Sequence, residues 1–234
     1  MEAALPNTIT SELFRFLRDL RDKNKKDWFD ANKTRYQQHV QQPMLSFIET
    51  MSPWLATHTP AFLADTRTNG GSLFRIYRDT RFSADKSPFK TNVGCNFRHR
   101  IGKDAHAPGF YVHISPDEIF FGGGIWSPPT PVLNNIRDAI VAQPDRWRDI
   151  VGGKAFTHQL GGLAESDTLK TVPRGYAKDH PFAHDLQRKS IYAFASCTEE
   201  QVCAVDFPDK VMTAFATLAP LMKFTTDALG LRWE

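Results

Sequence analysis

Apolar positions recur with two different periods along this chain, and the change of period divides it into three stretches. Leu13, Phe16, Leu17 and Leu20 fall at i, i+3, i+4 and i+7. This spacing predicts a helix with Thr10 as N-cap and Glu12 in its first turn. Asn24 breaks the series. A second begins at Trp28 and Phe29 and continues through Tyr36, Val40, Met44, Phe47, Ile48, Met51 and Leu55. Pro43 must kink that helix or open a third one, because proline lacks the amide donor. Both series are candidate core. Asn69-Gly70-Gly71 then marks a turn.

From Ser72 to Phe121 the period becomes two. Leu73–Arg78, Val93–Phe97, Phe110–Ile114 and Glu118–Phe121 read as short strands, separated by turns that include Ile101-Gly102-Lys103 and Ser115-Pro116-Asp117. Thr130-Pro131 is a cap-plus-first-turn pair opening a helix with Val132, Leu133, Ile136 and Ile140 on one face. A short helix around Trp147, Ile150 and Val151 stops at Gly152-Gly153, and Ser190–Phe194 resembles one more strand. The last helix starts near Pro208, carries Val211, Phe215, Leu218 and Met222 as a stripe, and ends at Gly230. Helices, then strands, then helices is an α+β order. The expectation is an antiparallel or mixed sheet of short strands in mid-chain, packed by N-terminal and C-terminal helices. No repeat or long linker divides residues 1–234, so one domain is expected.

Composition narrows the class. Aromatic residues make up 12% of 234 and the net charge is only +3, which excludes global disorder. No run of about 18 apolar residues exists to cross a membrane. Met1–Thr10 lacks the basic start and apolar core of a secretory signal. Cys95, Cys197 and Cys203 are an odd number without a Cys-x-x-Cys, against a disulfide framework or a cysteine zinc site. A soluble protein of the reducing cytoplasm is the expectation, with no membrane partner.

The charge is unevenly spread. Between Arg67 and Lys103 stand nine basic residues and only two acids, Asp79 and Asp85, a local surplus of +7 against −4 elsewhere. Concentrated positive charge attracts phosphate, carboxylate or nucleic acid. The same stretch holds Phe74-Arg75-Ile76-Tyr77-Arg78-Asp79-Thr80-Arg81-Phe82-Ser83-Ala84-Asp85-Lys86-Ser87-Pro88-Phe89-Lys90-Thr91. That run resembles the signature of a bacterial and fungal family known as domain of unknown function 2461. The resemblance extends over nearly the whole chain, through Phe16-Leu17, Asn24 with Trp28-Phe29, Pro108–Tyr111 and Gly122–Pro128. It continues in Leu169-Lys170, Pro173–Tyr176, Asp179–Pro181, and Leu186 with Arg188–Ser190. Ala84 and Phe89 stand where the family usually has Lys and Tyr, so neither position should carry essential chemistry here. The resemblance implies a single α+β domain and no particular reaction.

Arginine forks grip carboxylate or phosphate through two parallel bonds, whereas lysines act as point charges. Arg75, Arg81, Lys86 and Lys90 are therefore the expected core of an anion site, with Arg78, Asp79, Asp85, Gly123, Gly124 and Trp126 around it. The competing expectation is local: Asp79 and Asp85 pair with Arg78, Arg81 or Lys86 and lock the loop. His113 shares a strand face with Tyr111, which makes the two candidates for acid–base catalysis, although a strand histidine is more often a hydrogen-bonded structural group. Gly122-Gly123-Gly124 suits either an anion-holding nest or a sharp reversal. His180-x-x-x-His184 has helical metal spacing, but Pro181 interrupts it and no glutamate follows His180, so no metal is expected. No P-loop, Gly-x-Gly-x-x-Gly or Gly-x-Ser-x-Gly motif is present, and no cofactor is expected. Three functions remain. The first is a pocket, enzymatic or not, for a small anionic ligand. The second is a structural or interaction domain with internally paired arginines. The third is a nucleic-acid module, which a pI of 8.7 disfavours.

Overall fold

The computed structural model describes residues 7–101 and 106–234. Gly102 and Lys103, read as part of a turn and of the basic stretch, lie outside them. The first apolar stripe forms α1 (Ser11–Asp22), with Leu13, Phe16, Leu17 and Leu20 fully buried. Thr10 occupies the cap position without its side chain bonding the helix. The second series forms α2 (Lys26–Ala31) and α3 (Lys33–Tyr36), then a π-helical turn (Gln37–Gln41) leading into α4 (Gln42–His58). Pro43 stands in the first turn of α4, directly after the π turn. Phe29 is buried, whereas Trp28 is only partly so.

One sheet crosses mid-chain: β1 (Phe62–Leu63), β2 (Val93–His99), β3 (Gly109–Ile114), β4 (Ile119–Ile125) and β5 (Ile191–Ser196). The strands lie in chain order, every pair antiparallel. Between β4 and β5 run α5 (Thr130–Ala142), α6 (Pro144–Val151), α7 (Lys154–Leu160) and α8 (Ala183–Gln187); α9 (Glu199–Cys203) and α10 (Phe207–Ala228) follow. α10 covers one sheet face. Phe110 stacks on Phe215 at 4.5 Å between ring centres, and Phe121 meets Phe207 edge-on at 6.0 Å. On the opposite face the two-residue period leaves Tyr111, His113, Phe120, Tyr192 and Phe194, all partly exposed.

Two expectations are corrected. Leu73–Arg78 is not a continuous strand; only the bridges Leu73↔Cys95 and Tyr77↔Phe89 form. The antiparallel register that sets Leu73 opposite Cys95 carries residues 76–78 beyond Val93, where β2 begins, so they have no strand beside them. The helix after Pro129 begins at Thr130 itself, with no side-chain cap. The sequence also gave no sign of α7 or of the two-residue β1.

The Leu186–Ser190 stretch is structural. Buried Arg137 donates to the carbonyls of Leu186 (2.7 Å) and Arg188 (3.1 Å) and to Asn134 Oδ1 (2.9 Å). Asp185 receives Trp147 Nε1 at 2.9 Å and pairs with Arg188 at 3.0 Å. No helix among the described residues is long and apolar enough to cross a membrane. Leu17→Ala should cost about 2–5 kcal/mol through lost burial and a cavity. Urea unfolding checks this, and an unchanged midpoint would contradict the core assignment.

Candidate functional site

The basic segment is fastened to the helical layer at one residue. Asn24, in the break between α1 and α2, donates through Nδ2 to the Phe89 carbonyl at 3.0 Å and accepts the Phe89 amide at 3.1 Å. Phe89 is itself buried, stacked 4.2 Å from Phe29 between ring centres and 5.4 Å from Tyr77. Around Phe89 the chain folds back on itself: the Lys90 amide donates to the Ile76 carbonyl (2.7 Å) and the Arg78 amide to the Pro88 carbonyl (2.9 Å). The Phe74 amide in turn bonds the Gly94 carbonyl at 2.9 Å. Arg75 is thus held between two anchored neighbours, with Ile76 buried beside it.

These constraints leave a cleft of about 420 Å³ between the α2–π-turn region and residues 68–77. Arg75 lines it with Lys33, Tyr36, Gln37, Gln41 and Tyr77. Neither Arg75 nor Lys33 makes a side-chain hydrogen bond or ion pair among the described residues. No carboxylate lines the cleft. Burial, with the neighbouring Tyr77 adding to it, pushes the Tyr36 hydroxyl up to about 12, so it stays a neutral donor. Such a lining offers cations, amides and hydroxyls to a negative charge.

The other sequence candidates lie elsewhere. Arg81 grips Asp79 with two bonds, Nε to Oδ1 at 2.9 Å and Nη2 to Oδ2 at 2.6 Å, on the open surface. That contact holds the Asp79 carboxyl below its usual range. Arg78 pairs with Asp85, whose carboxyl is lowered first by the Ser87 hydroxyl and amide and then by Arg78. Lys86 Nζ donates to the Thr80 carbonyl at 2.9 Å. Lys90 sits 5.4 Å from the centre of the Phe74 ring with no acidic partner among the described residues. Burial lowers its ammonium, and Arg75 adds to the effect.

Tyr111 and His113 meet on the exposed sheet face, the Tyr111 hydroxyl 3.2 Å from His113 Nδ1. His113 Nε2 stands 3.7 Å from Glu118, and the imidazole lies parallel to Phe120 at 4.8 Å. Neither residue lines the cleft. Gly123 faces α10, where an added Cβ would come within 3.1 Å of Met222 Sδ. Gly124, at φ +140°, faces β5, where a Cβ would stand 2.2 Å from the Ile191 carbonyl. Close packing accounts for both glycines. Trp126 projects from the end of β4, 71% exposed, with its ring 5.0 Å from that of Tyr192. Among the described residues no three His, Cys, Asp or Glu side chains form a metal cluster.

Lys33, Gln37, Gln41 and Thr68 were missed, although Lys33, Gln37 and Gln41 repeat every four residues as a polar stripe beside the apolar one. A second overlooked signal separates the arginines. Asp65-Thr66-Arg67 and Asp79-Thr80-Arg81 are the same tripeptide, and in each the aspartate accepts the arginine amide two residues on and grips its guanidinium. Arg75 has no acid within two positions.

Asn24→Ala should leave the Phe89 amide and carbonyl unpaired and cost about 1–3 kcal/mol in urea unfolding. A change within error would show that water replaces the side chain. Burial depresses His113 below its ordinary 6.5, outweighing the opposing pull of Glu118. The unfolded chain therefore takes up this proton first, and the associated stability, present above pH 6.5, is lost as pH falls through the folded value. His113→Gln should flatten the decline of stability between about pH 7 and 5; an unaltered slope would refute the assignment.

Comparison with curated proteins and with solved structures found no match. The family described as Conserved hypothetical protein (DUF2461) matches residues 12–224, from α1 to within α10. That span takes in the α1–α2 break, the cleft, the basic segment and the whole sheet, and the chain belongs to this family.

Proposed function

We propose that the protein binds a small anionic ligand, bearing phosphate or carboxylate, in the cleft between the π turn and residues 68–77. The observation that carries this reading is Arg75. Arg67, Arg78 and Arg81, from the same basic stretch, each hold an aspartate, whereas Arg75 faces the cleft with no ion-pair partner among the described residues and reaches Asp79 only at longer range. A guanidinium held by its backbone in a cleft free of carboxylates is organised for a two-bond grip on an oxyanion. Lys33 adds a second charge and the Gln37 and Gln41 amides add neutral donors. The volume falls within the range of roughly 300–1,000 Å³ usual for small-ligand sites. The like-charge pressure of Arg75 on Lys90 would also be relieved by a bound anion.

The reading separates two arginines that the sequence grouped together. Thermal shift in phosphate, citrate and phosphorylated small molecules should show stabilisation that Arg75→Gln abolishes. Arg81→Gln should retain it, because that guanidinium is spent on Asp79 in open solvent. An undiminished response in Arg75→Gln overturns the cleft assignment.

A further inference from the structure

The sheet face opposite α10 is a second feature. Its rings touch one another across β3, β4 and β5, with Phe74 joining from the bridged segment beside β2, instead of packing into the core. Phe74 lies 5.9 Å from Tyr111, Tyr111 5.9 Å from Phe120, and Phe120 5.2 Å from Phe194. Phe194 lies 6.2 Å from Tyr192, and Tyr192 5.0 Å from Trp126. At roughly 4.8 Å between strands, this row spans about 15–20 Å. Phe74 and Trp126, at its two ends, are 38% and 71% exposed. Monomeric proteins seldom leave so continuous an apolar row without a partner.

The charges bordering the row select the partner. Along the β2 border stand Lys90, whose ammonium lies against Phe74 with no acidic partner among the described residues, and Arg98, whose guanidinium donates to the Gly70 and Gly71 carbonyls, both at 3.0 Å. Neither cation has an ion-pair partner among the described residues, and Asp65 feels Arg98 only at longer range. Glu118 marks the β3–β4 turn, 3.7 Å from His113, and at the far border Tyr192 feels Arg188, itself paired with Asp185, and then Asp167. An occupant must therefore present flat rings to the centre and negative charge to the β2 side. Unpaired bases on a phosphate backbone have this form, and stacking on aromatic rings requires no particular sequence. A duplex hides its ring faces and fits poorly.

We propose that this aromatic sheet face is a binding site for single-stranded nucleic acid, with bases stacked along Tyr111, Phe120, Phe194, Tyr192 and Trp126 and phosphates towards Lys90 and Arg98. The site adjoins the cleft at Phe74, which lines both, and at Lys90, which feels Arg75, but the rings from Tyr111 to Trp126 lie outside the cleft.

Fluorescence anisotropy of a labelled 12-nucleotide oligothymidylate, read against a duplex of equal length, tests the proposal on the full chain. The single strand should bind at least tenfold more tightly than the duplex, and more weakly as salt rises. Trp126→Ala, which truncates an exposed ring, and Lys90→Gln should each weaken it by about 5- to 100-fold, the range of one lost base stack. Circular dichroism confirms that the variants fold, and Phe194→Leu serves should either variant fail. Arg75→Gln should change strand affinity by less than about threefold while abolishing the phosphate response, so the two sites can fail separately. Absence of strand binding, equal duplex binding, or full affinity in a folded Trp126→Ala protein would overturn the proposal. So would sedimentation showing a dimer that Trp126→Ala dissolves, because a second copy would then cover the face.

Discussion

Between α1 and α2 a single side-chain amide does the work of a strand. Asn24 offers Phe89 one donor and one acceptor, the same pair that a neighbouring backbone would supply. Everything on the basic side of the molecule is referred to that contact. Phe89 can stack on Phe29 only because its backbone polarity is satisfied in the process, and Tyr77 then closes over both rings. The cleft wall follows, because Ile76 is tied to Lys90 and Arg75 is thereby aimed. A carbon side chain at position 24 would bury two unpaired groups in the middle of an aromatic cluster.

Much of the architecture was legible in the residues. The stripes Leu13–Leu20 and Val211–Met222 bury as their spacing demands, and β2, β3 and β4 alternate because one face meets α10 while the other meets solvent. What failed was non-local. Leu73–Arg78 has the alternation of a strand, yet its register runs it off the start of β2, and no local pattern reports that mismatch. The π turn is equally silent, since residues 37–41 keep ordinary helical composition.

At the candidate site the sequence located the charge but could not divide it. A surplus of +7 marks a region of field, whereas function depends on which cations are already neutralised. The Asp-Thr-Arg tripeptides decide this within two residues, through a turn that the aspartate makes with the arginine amide. Arg78 and Asp85, seven residues apart, are brought together by the loop and could not be paired in advance. The lining contributed by Lys33, Gln37 and Gln41 comes from a different part of the chain, and only folding brings it opposite Arg75.

The π turn carries a surplus of chain: it spends one more residue per turn than the α-helices on either side. Such a turn relaxes to α geometry when one residue is removed, and each residue of an α-helix turns the axis by about 100°. Deleting one position between 37 and 41 would therefore tighten the turn and leave Tyr36, Lys33 and Phe29 close to their present angle about α4. Tyr36 and Phe29 pack on each other at 5.4 Å and belong to the buried cluster, so the core holds that angle. The extra residue is absorbed within the turn, which joins two helical stretches, one serving the interior through α4 and the other presenting polar side chains to the cleft.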